Sequence, residues 1–321
     1  MLQRILDPVL AQRAVRDKLT IAQTYAALGD SVSYQDPFDQ RTHPVFLGDD
    51  CAVLPDGHGD HLLFASEGII TSFLDMAPWF AGYSAVMVNI SDICSMGGLP
   101  MAVTDVLWLK DQEQGAQIWA GMVAASTAYN VPIVGGHTCY HTERPHLAVS
   151  IIGKAKKLLE SKAARPAETL LMAVDLNGSY YEDYPFWNAS TMAEPVHLRT
   201  NLRLMYELAN RGLSAAAKDI SMGGIIGTLA MFAQASGVGA EVHLDQIPKP
   251  DSVDWQKWLI SFPSFGYLFT CEPGREKACI ELFTSHRIQC KAIGTMTDNQ
   301  EIVVRLNEEQ SSINLYEPNY A

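Results

Sequence analysis

Residues 8–28 repeat apolar side chains at helical spacing and stop at Gly29-Asp30, which predicts a helix there. Residues 31–44 are polar and irregular. Two strands are expected next, at about Cys51–Leu54 and His61–Ser66, joined by the turn Pro55-Asp56-Gly57-His58-Gly59-Asp60. A helix over about Ala77–Met96 leads to the strand PMAVTDVLWL (100–109) and a helix over about Glu113–Tyr129. The run Val131–Val134 reads as a strand ending in Gly135-Gly136, and HLAVSIIGKA (146–155) as the last strand of a mixed α+β unit. In the second half, residues 157–174 read as a linker and then a strand, and residues 177–197 as a long polar and aromatic loop. A helix over Leu198–Arg211 and a second one opened by Gly223-Gly224 follow. The strands 240–244, 266–270 and 291–296, with a helix over 275–286, complete a second α+β unit. The expected division is an N-terminal helix with a connecting segment (1–44), a first domain (45–155) and a second (156–321).

Of the 321 residues 48% are hydrophobic and 18% charged, enough apolar material for full-sized cores and too much for a disordered chain. Lys plus Arg is 23 against Asp plus Glu 36, a net charge of −13, and no basic block exceeds Lys156-Lys157. That balance argues against nucleic acid or an anionic membrane as partner. An acidic chain holds phosphate only through metal ions or backbone N–H groups. Residues 1–18 are charged and amphipathic, with no apolar signal core, so export is not expected. Residues 76–104 carry one formal charge, Asp92, but Pro78, Gly82, Gly97-Gly98 and Pro100 interrupt them, which favours a buried helix and strand over a membrane span. The six cysteines form no CxxC pair and read as reduced, mostly buried thiols of a cytoplasmic protein.

Asp49 and Asp50 follow Gly48 and precede an apolar strand; they are either solvated loop acids or metal ligands at the strand mouth. Glu67 lies at the end of the paired strand. Asn89 and Asp92 are three apart and share a helix face. An acid inside an apolar run is costly unless it is paired, hydrogen-bonded or metal-bound, so Asp92 is either a satisfied core acid or a functional one. If these elements pack together, their carboxylates require a cation: two like charges ~4 Å apart repel by ~4 kcal/mol at an effective dielectric near 20. Oxygen ligands suit Mg²⁺ carrying a phosphate group. Gly135-Gly136-His137-Thr138 would let a ligand approach the backbone closely. His137, Cys139 and His141 alternate and would share a strand face, but an ordinary polar strand end is the favoured reading over a soft-metal site. Asp219-Ile220-Ser221-Met222-Gly223-Gly224 leads into a helix that Ser221 could cap and that could accept phosphate oxygens. Asp56, His58, Asp60 and His61 read as a hairpin turn. There is no P-loop, GxGxxG, HExxH or GxSxG pattern.

The ordered set GDDCAVL, SEG, NISDICSMGGLP, VGGHT and DISMGG resembles the aminoimidazole ribonucleotide (AIR) synthase-related, or PurM-like, superfamily over residues 45–305. Its members include AIR synthase, formylglycinamidine ribonucleotide synthase, thiamine-monophosphate kinase, selenophosphate synthetase and a hydrogenase-maturation carbamoyl dehydratase. The resemblance implies a two-domain α+β fold, with an N-terminal mixed sheet that dimerises into a barrel and a C-terminal α/β sandwich domain. It also implies a cytoplasmic homodimer using ATP and Mg²⁺ on a small-molecule substrate. Asp49, Asp50, Glu67 and Asp92 then match metal-site acids. Asp92, His137 and Asp219 match catalytic positions, and Gly48, Asn89, Gly135, Gly136, Thr138, Ser221, Gly223 and Gly224 match cofactor-binding ones. The chain departs from thiamine-monophosphate kinases at Met222 and His137, where they carry acids. It departs from selenophosphate synthetases in having no cysteine and no Gly-rich run in residues 1–47, its one early lysine being Lys18. The implied function is phosphoryl transfer to, or phosphate activation of, an oxygen of a metabolite that is neither selenide nor thiamine monophosphate. The alternatives are a non-catalytic nucleotide-binding subunit serving a partner enzyme and, against the departures just given, a selenophosphate synthetase-like or thiamine-monophosphate kinase-like enzyme.

Overall fold

A computed structural model describes residues 1–20 and 28–315. Residues 21–27 of the expected first helix lie outside that range. The chain opens with helices α1 (Leu2–Leu10) and α2 (Arg13–Thr20), then a hairpin of β1 (Ser31–Gln35) and β2 (Thr42–Phe46). Strands β3 (Ala52–Pro55) and β4 (His61–Ile69) follow, then helices α3 (Thr71–Met76) and α4 (Pro78–Ser95), and β5 (Leu99–Trp108). Helix α5 (Gln112–Tyr129) precedes β6 (Ile133–Cys139) and β7 (His146–Ala155). The second half runs β8 (Thr169–Val174), β9 (Ser179–Tyr180), β10 (Phe186–Asn188), α6 (Pro195–Asn201), α7 (Arg203–Asn210), β11 (Ala217–Asp219), α8 (Gly224–Ser236) and β12 (Gly239–His243). It ends with α9 (Trp255–Leu259), β13 (Phe262–Pro263), β14 (Gly266–Cys271), α10 (Glu276–Thr284), β15 (Gln289–Thr297), β16 (Glu301–Leu306) and β17 (Glu309–Asn314).

These elements form two compact units. One comprises residues 50–157 and 191–206; the other comprises 1–49, 158–190 and 207–321. The first is built on a five-stranded mixed sheet, β3-β4-β7-β5-β6, in which only β5 and β6 run parallel. Strand β7 shows why one face is covered. Leu147, Val149 and Ile151 are buried, while His146 and Ile152 point to the other side, the period of two expected of a half-covered sheet. Helices α4 and α5 supply the cover. They cross with almost no gap: a Cβ on Gly121 would stand 1.8 Å from the Trp79 carbonyl oxygen, and one on Gly82 would stand 2.1 Å from that of Ile118. The other face exposes Phe64, Met101, Trp108 and Ile152.

Residues 191–206 join this unit through a cap. The Arg199 guanidinium donates to the carbonyls of Thr127 (2.8 Å) and Ala128 (3.0 Å) in the last turn of α5, where the backbone N–H of Asn130 also reaches Thr127. A cation also suits the negative end of the helix dipole. The Asp56–Asp60 turn is confirmed. Asp56 accepts the N–H groups of His58 (2.7 Å) and Asp60 (3.0 Å), and Lys154 pairs with both acids. The hydrogen bond from Lys154 holds the Asp56 carboxyl well below the usual carboxylate range.

The second unit has a seven-stranded sheet, β11-β14-β8-β15-β12-β16-β17, and a small sheet, β13-β10-β9. Strand β8 lies inside the larger sheet, and Leu170–Val174 are all buried, which is why TLLMAV reads as an unbroken apolar run. The N-terminal helices belong to this unit. Leu2, Leu6 and Val9 of α1 and Val15 of α2 share one core with Phe232, Trp258 and Met172. The Met1 ammonium pairs with Glu309 of the last strand at 2.7 Å. Residues 31–44, expected to be irregular, contribute the β1–β2 hairpin. The segment 177–197 holds β9 and β10 and the start of α6, with Trp187 buried and its indole N–H donating to the Asp175 carbonyl. All six cysteines are free, and only Cys139 among them is not fully buried.

Candidate functional site

In the five-stranded unit the elements bring Asp50 and Asp92 to the same turn of α4. The Ser95 hydroxyl lies 2.8 Å from Asp50 Oδ2 and 2.7 Å from the Asp92 carbonyl oxygen, and the Cys51 thiol is 3.3 Å from that same carbonyl. The entry to β3 is thereby fixed to the helix end that carries Asp92. Asp92 is 7% exposed, as expected of an acid in an apolar helix. Asn89, three residues earlier, is fully buried. Its Nδ2 donates to the Ala85 carbonyl at 2.8 Å, and its Oδ1 has no hydrogen-bond partner. Glu67 is exposed on β4.

Register relates Glu67 to the Gly-Gly segment. Glu67 pairs with Val149, Val149 with Asp105, and Asp105 with Gly136, so the four residues form one row across β4, β7, β5 and β6. The segment Gly135-Gly136-His137-Thr138 was expected as a turn ending a strand; it is instead the middle of β6, an exposed edge strand with extended backbone at both glycines. The reason is Asp105. A Cβ on Gly136 would stand 2.2 Å from Asp105 Oδ2, so only glycine leaves room for the carboxylate. His137 is exposed, with Nε2 3.2 Å from the Cys139 thiol. His141 lies beyond the end of β6 in a left-handed conformation, so the three alternating residues do not form one strand face. Among the described residues no group of three or more His, Cys, Asp or Glu side chains is placed to hold a metal ion by itself.

Asp105 is the residue that the sequence reading missed. It is 3% exposed, neither carboxylate oxygen has a hydrogen-bond partner, and burial raises its pKa. The signal was an acid inside an apolar strand, the same signal that singled out Asp92.

The seven-stranded unit carries the remaining candidates. Gly48 adopts φ +91°, the sharp backbone turn that glycine permits. Asp49 Oδ2 accepts the Ser161 amide at 2.9 Å. Asp219 ends β11, buried beside Lys218, and Met222 is half exposed. Ser221 does not cap α8. Gly223, at φ +103°, is the N-cap residue, and no side chain bonds to the free amides. Both helix-start glycines are hemmed in. A Cβ on Gly223 would meet the Lys18 stem at 2.9 Å, and one on Gly224 would meet the Leu259 carbonyl at 2.3 Å. Lys18, which has no glycine near it in sequence, is packed on one in space.

The family described as "AIR synthase related protein, N-terminal domain" matches residues 48–155, and its C-terminal domain matches residues 167–307. The "Uncharacterized protein sll0787" of Synechocystis sp. is 44% identical over 83% of this chain and 82% of its own. The "Thiamine-monophosphate kinase" of Salmonella typhimurium is 27% identical over 64% of this chain and 67% of its own. Among solved structures, "T. maritima PurL complexed with AMPPCP" matches with a TM-score of 0.75 at 19% identity, over 97% of this chain and 51% of that one. The present chain spans about half the length of that larger protein. No helix among the described residues is long and apolar enough to cross a membrane. With both domain families matched in order over most of its length, the chain belongs to the AIR synthase-related protein family.

Proposed function

We propose that the chain binds a Mg²⁺–ATP complex and uses it to phosphorylate, or activate through phosphate, an oxygen of a small metabolite. The observation that carries this reading is the contact of the Asp50 carboxylate with the Ser95 hydroxyl, which places that acid at the helix end that carries Asp92. These donors fit Mg²⁺ rather than a softer metal, because all are carboxylate oxygens. The lack of a three-ligand cluster among the described residues also fits, since Mg²⁺ is usually held by one or two carboxylates, waters and the phosphates it arrives with. Asp50 and Asp92 would hold the ion with waters and phosphate oxygens; Glu67 and, in the other unit, Asp49 are separate candidates from the family pattern. Mg²⁺ would offset phosphate charge during transfer. His137, exposed on the edge strand, is the candidate base for the acceptor hydroxyl, and Thr138 and the glycines of β6 are candidate phosphate neighbours. Asp219, Ser221, Gly223 and Gly224 keep their proposed roles in the other unit.

A second reading, a nucleotide-binding subunit without turnover, is favoured by Met222, a half-exposed thioether that can neither bind Mg²⁺ nor accept a proton. ADP release separates the two. Mg-ATP with a metabolite extract should raise ADP formation over Mg-ATP alone, while selenide and thiamine monophosphate should give no product. An ADP rate unchanged by any extract favours the second reading.

The protein is also proposed to act as a homodimer. Phe64 and Ile152 are cross-strand neighbours on the uncovered face of the five-stranded sheet, and a second copy would remove them from water. Light scattering at micromolar concentration should give twice the chain mass; a monomer contradicts this.

A further inference from the structure

Strand β6 brings a thiol and a base together. His137 and Cys139 are two apart, and register sets them beside Val106 and Trp108 of β5. Trp108 in turn pairs with His146 of β7, so the thiol lies on the uncovered face of the sheet. Thr138, between them, turns to the helix side opposite the buried Leu107. The Cys139 thiol stands 3.2 Å from His137 Nε2, within hydrogen-bond reach. The strand position of Cys139 is fixed by the Leu109 amide, which donates to its carbonyl at 2.9 Å. Strand β6 is the edge of the sheet, which leaves the pair open on that side. His146 and Ile152 are six positions apart on β7, so Cys139 lies about 20 Å along the face from the Phe64–Ile152 pair proposed as a dimer contact. Cys139 is partly exposed, while the other five cysteines are buried. A free thiol within reach of solvent is open to exchange and oxidation, and protein surfaces generally avoid one. This one carries a base as well.

We infer that Cys139 is a modification site, a nucleophilic thiol with His137 as its base, which takes up a low-molecular-weight disulfide as a mixed disulfide. His137 Nε2 accepts the thiol proton as Sγ attacks one sulfur of the reagent. The S–S bond of the reagent breaks, the bond from Cys139 to sulfur forms, and the departing thiolate takes the proton that the imidazole held. One thiol and one disulfide are consumed, and one mixed disulfide and one small thiol are produced; the reagent disulfide is the oxidant. The other cysteines are buried, so the adduct stays on Cys139 until an external thiol reduces it. On the reading that His137 also serves an acceptor hydroxyl, the adduct would crowd that base and set modification against turnover. The modification itself does not rest on that reading, and it uses none of the metal-site acids.

The test is reaction of the whole reduced chain with oxidised glutathione and with cystamine, without nucleotide or Mg²⁺, followed by intact mass and peptide mapping after an acid quench. Leaving out nucleotide keeps this result separate from any failure of the nucleotide reading. Each reagent should add once per chain, on Cys139, and dithiothreitol should remove the adduct. A free thiol is only a few per cent thiolate at neutral pH, so a positioned base should raise the rate roughly tenfold or more over N-acetylcysteine with the same reagent. Cys139→Ser should stop the reaction, and His137→Gln, which keeps a polar side chain but takes no proton, should bring the rate down to that of the free thiol. A rate no higher than that of N-acetylcysteine, a first adduct on any other cysteine, or an unchanged rate in His137→Gln overturns the inference. The rate and the mapped position in the parent chain decide the matter even where a variant folds poorly.

Discussion

Asp92→Asn is expected to weaken Mg²⁺-dependent nucleotide binding by on the order of 100-fold, about 2.8 kcal/mol, while the fold survives. The two effects separate because Asn keeps the shape and hydrogen-bonding capacity of Asp but carries no charge for a metal ion. Asp92 is nearly buried, so loss of its charge lightens the desolvation load rather than adding to it. Its backbone carbonyl, which meets Ser95 and Cys51, is untouched by the substitution. Asp50→Asn should behave alike, since an amide oxygen still accepts from Ser95. Calorimetric titration with Mg-ATP, paired with a thermal melt, reads both quantities. A variant that melts well below the parent yet binds nucleotide as before would make Asp92 a structural acid only.

Gly121→Ala is expected to destabilise the five-stranded unit by about 3 kcal/mol, against the direction that helix propensity gives. In an exposed helix the change would gain roughly 1 kcal/mol, because glycine is the poorer helix former. Here the new methyl would stand 1.8 Å from the Trp79 carbonyl oxygen and 2.8 Å from the Tyr83 nitrogen. Both are backbone atoms of a buried helix, so relief requires α4 and α5 to part along their whole crossing. Overpacking of this kind costs ~1–3 kcal/mol and more where backbone must move. A net loss of about 3 kcal/mol lowers the melting temperature by roughly 10 °C in a domain of this size. A melting temperature equal to or above the parent's would show that the helices are not in backbone contact.

Much of the architecture was legible because burial leaves periodic marks. HLAVSIIGKA alternates along its length and is β7 residue for residue; the apolar run before Gly97-Gly98 is α4. What periodicity does not carry is the identity of the neighbour. Helix α1 reads as amphipathic, but nothing in LQRILDPVL says that Leu2 and Leu6 fill a core with Trp258. The docking of residues 191–206 rests on Arg199 reaching carbonyls more than seventy positions away, which leaves no local pattern. The β1–β2 hairpin went unread because only Val45 of its ten residues is buried, so polar alternation gave no contrast. Gly82 was read as an interruption of the apolar run. It lies inside α4, where its missing side chain admits α5.

The site was legible as a set of acids and less so as an arrangement. The Gly-Gly segment resembled a turn because glycine usually marks one. Here Gly136 answers to Asp105 on the next strand, a constraint that register creates. Ser95 gave no signal in sequence either, yet it links Asp50 to the Asp92 turn.

The central claim is that the Asp50 and Asp92 carboxylates act with a divalent ion to hold nucleotide on a chain of net charge −13. Calorimetric titration of the intact protein with ATP, once in Mg²⁺ and once in EDTA, tests it most directly. Phosphate brought to those carboxylates without the ion meets only like charge, so affinity should fall at least tenfold in EDTA. Equal affinity in the two titrations would contradict the claim.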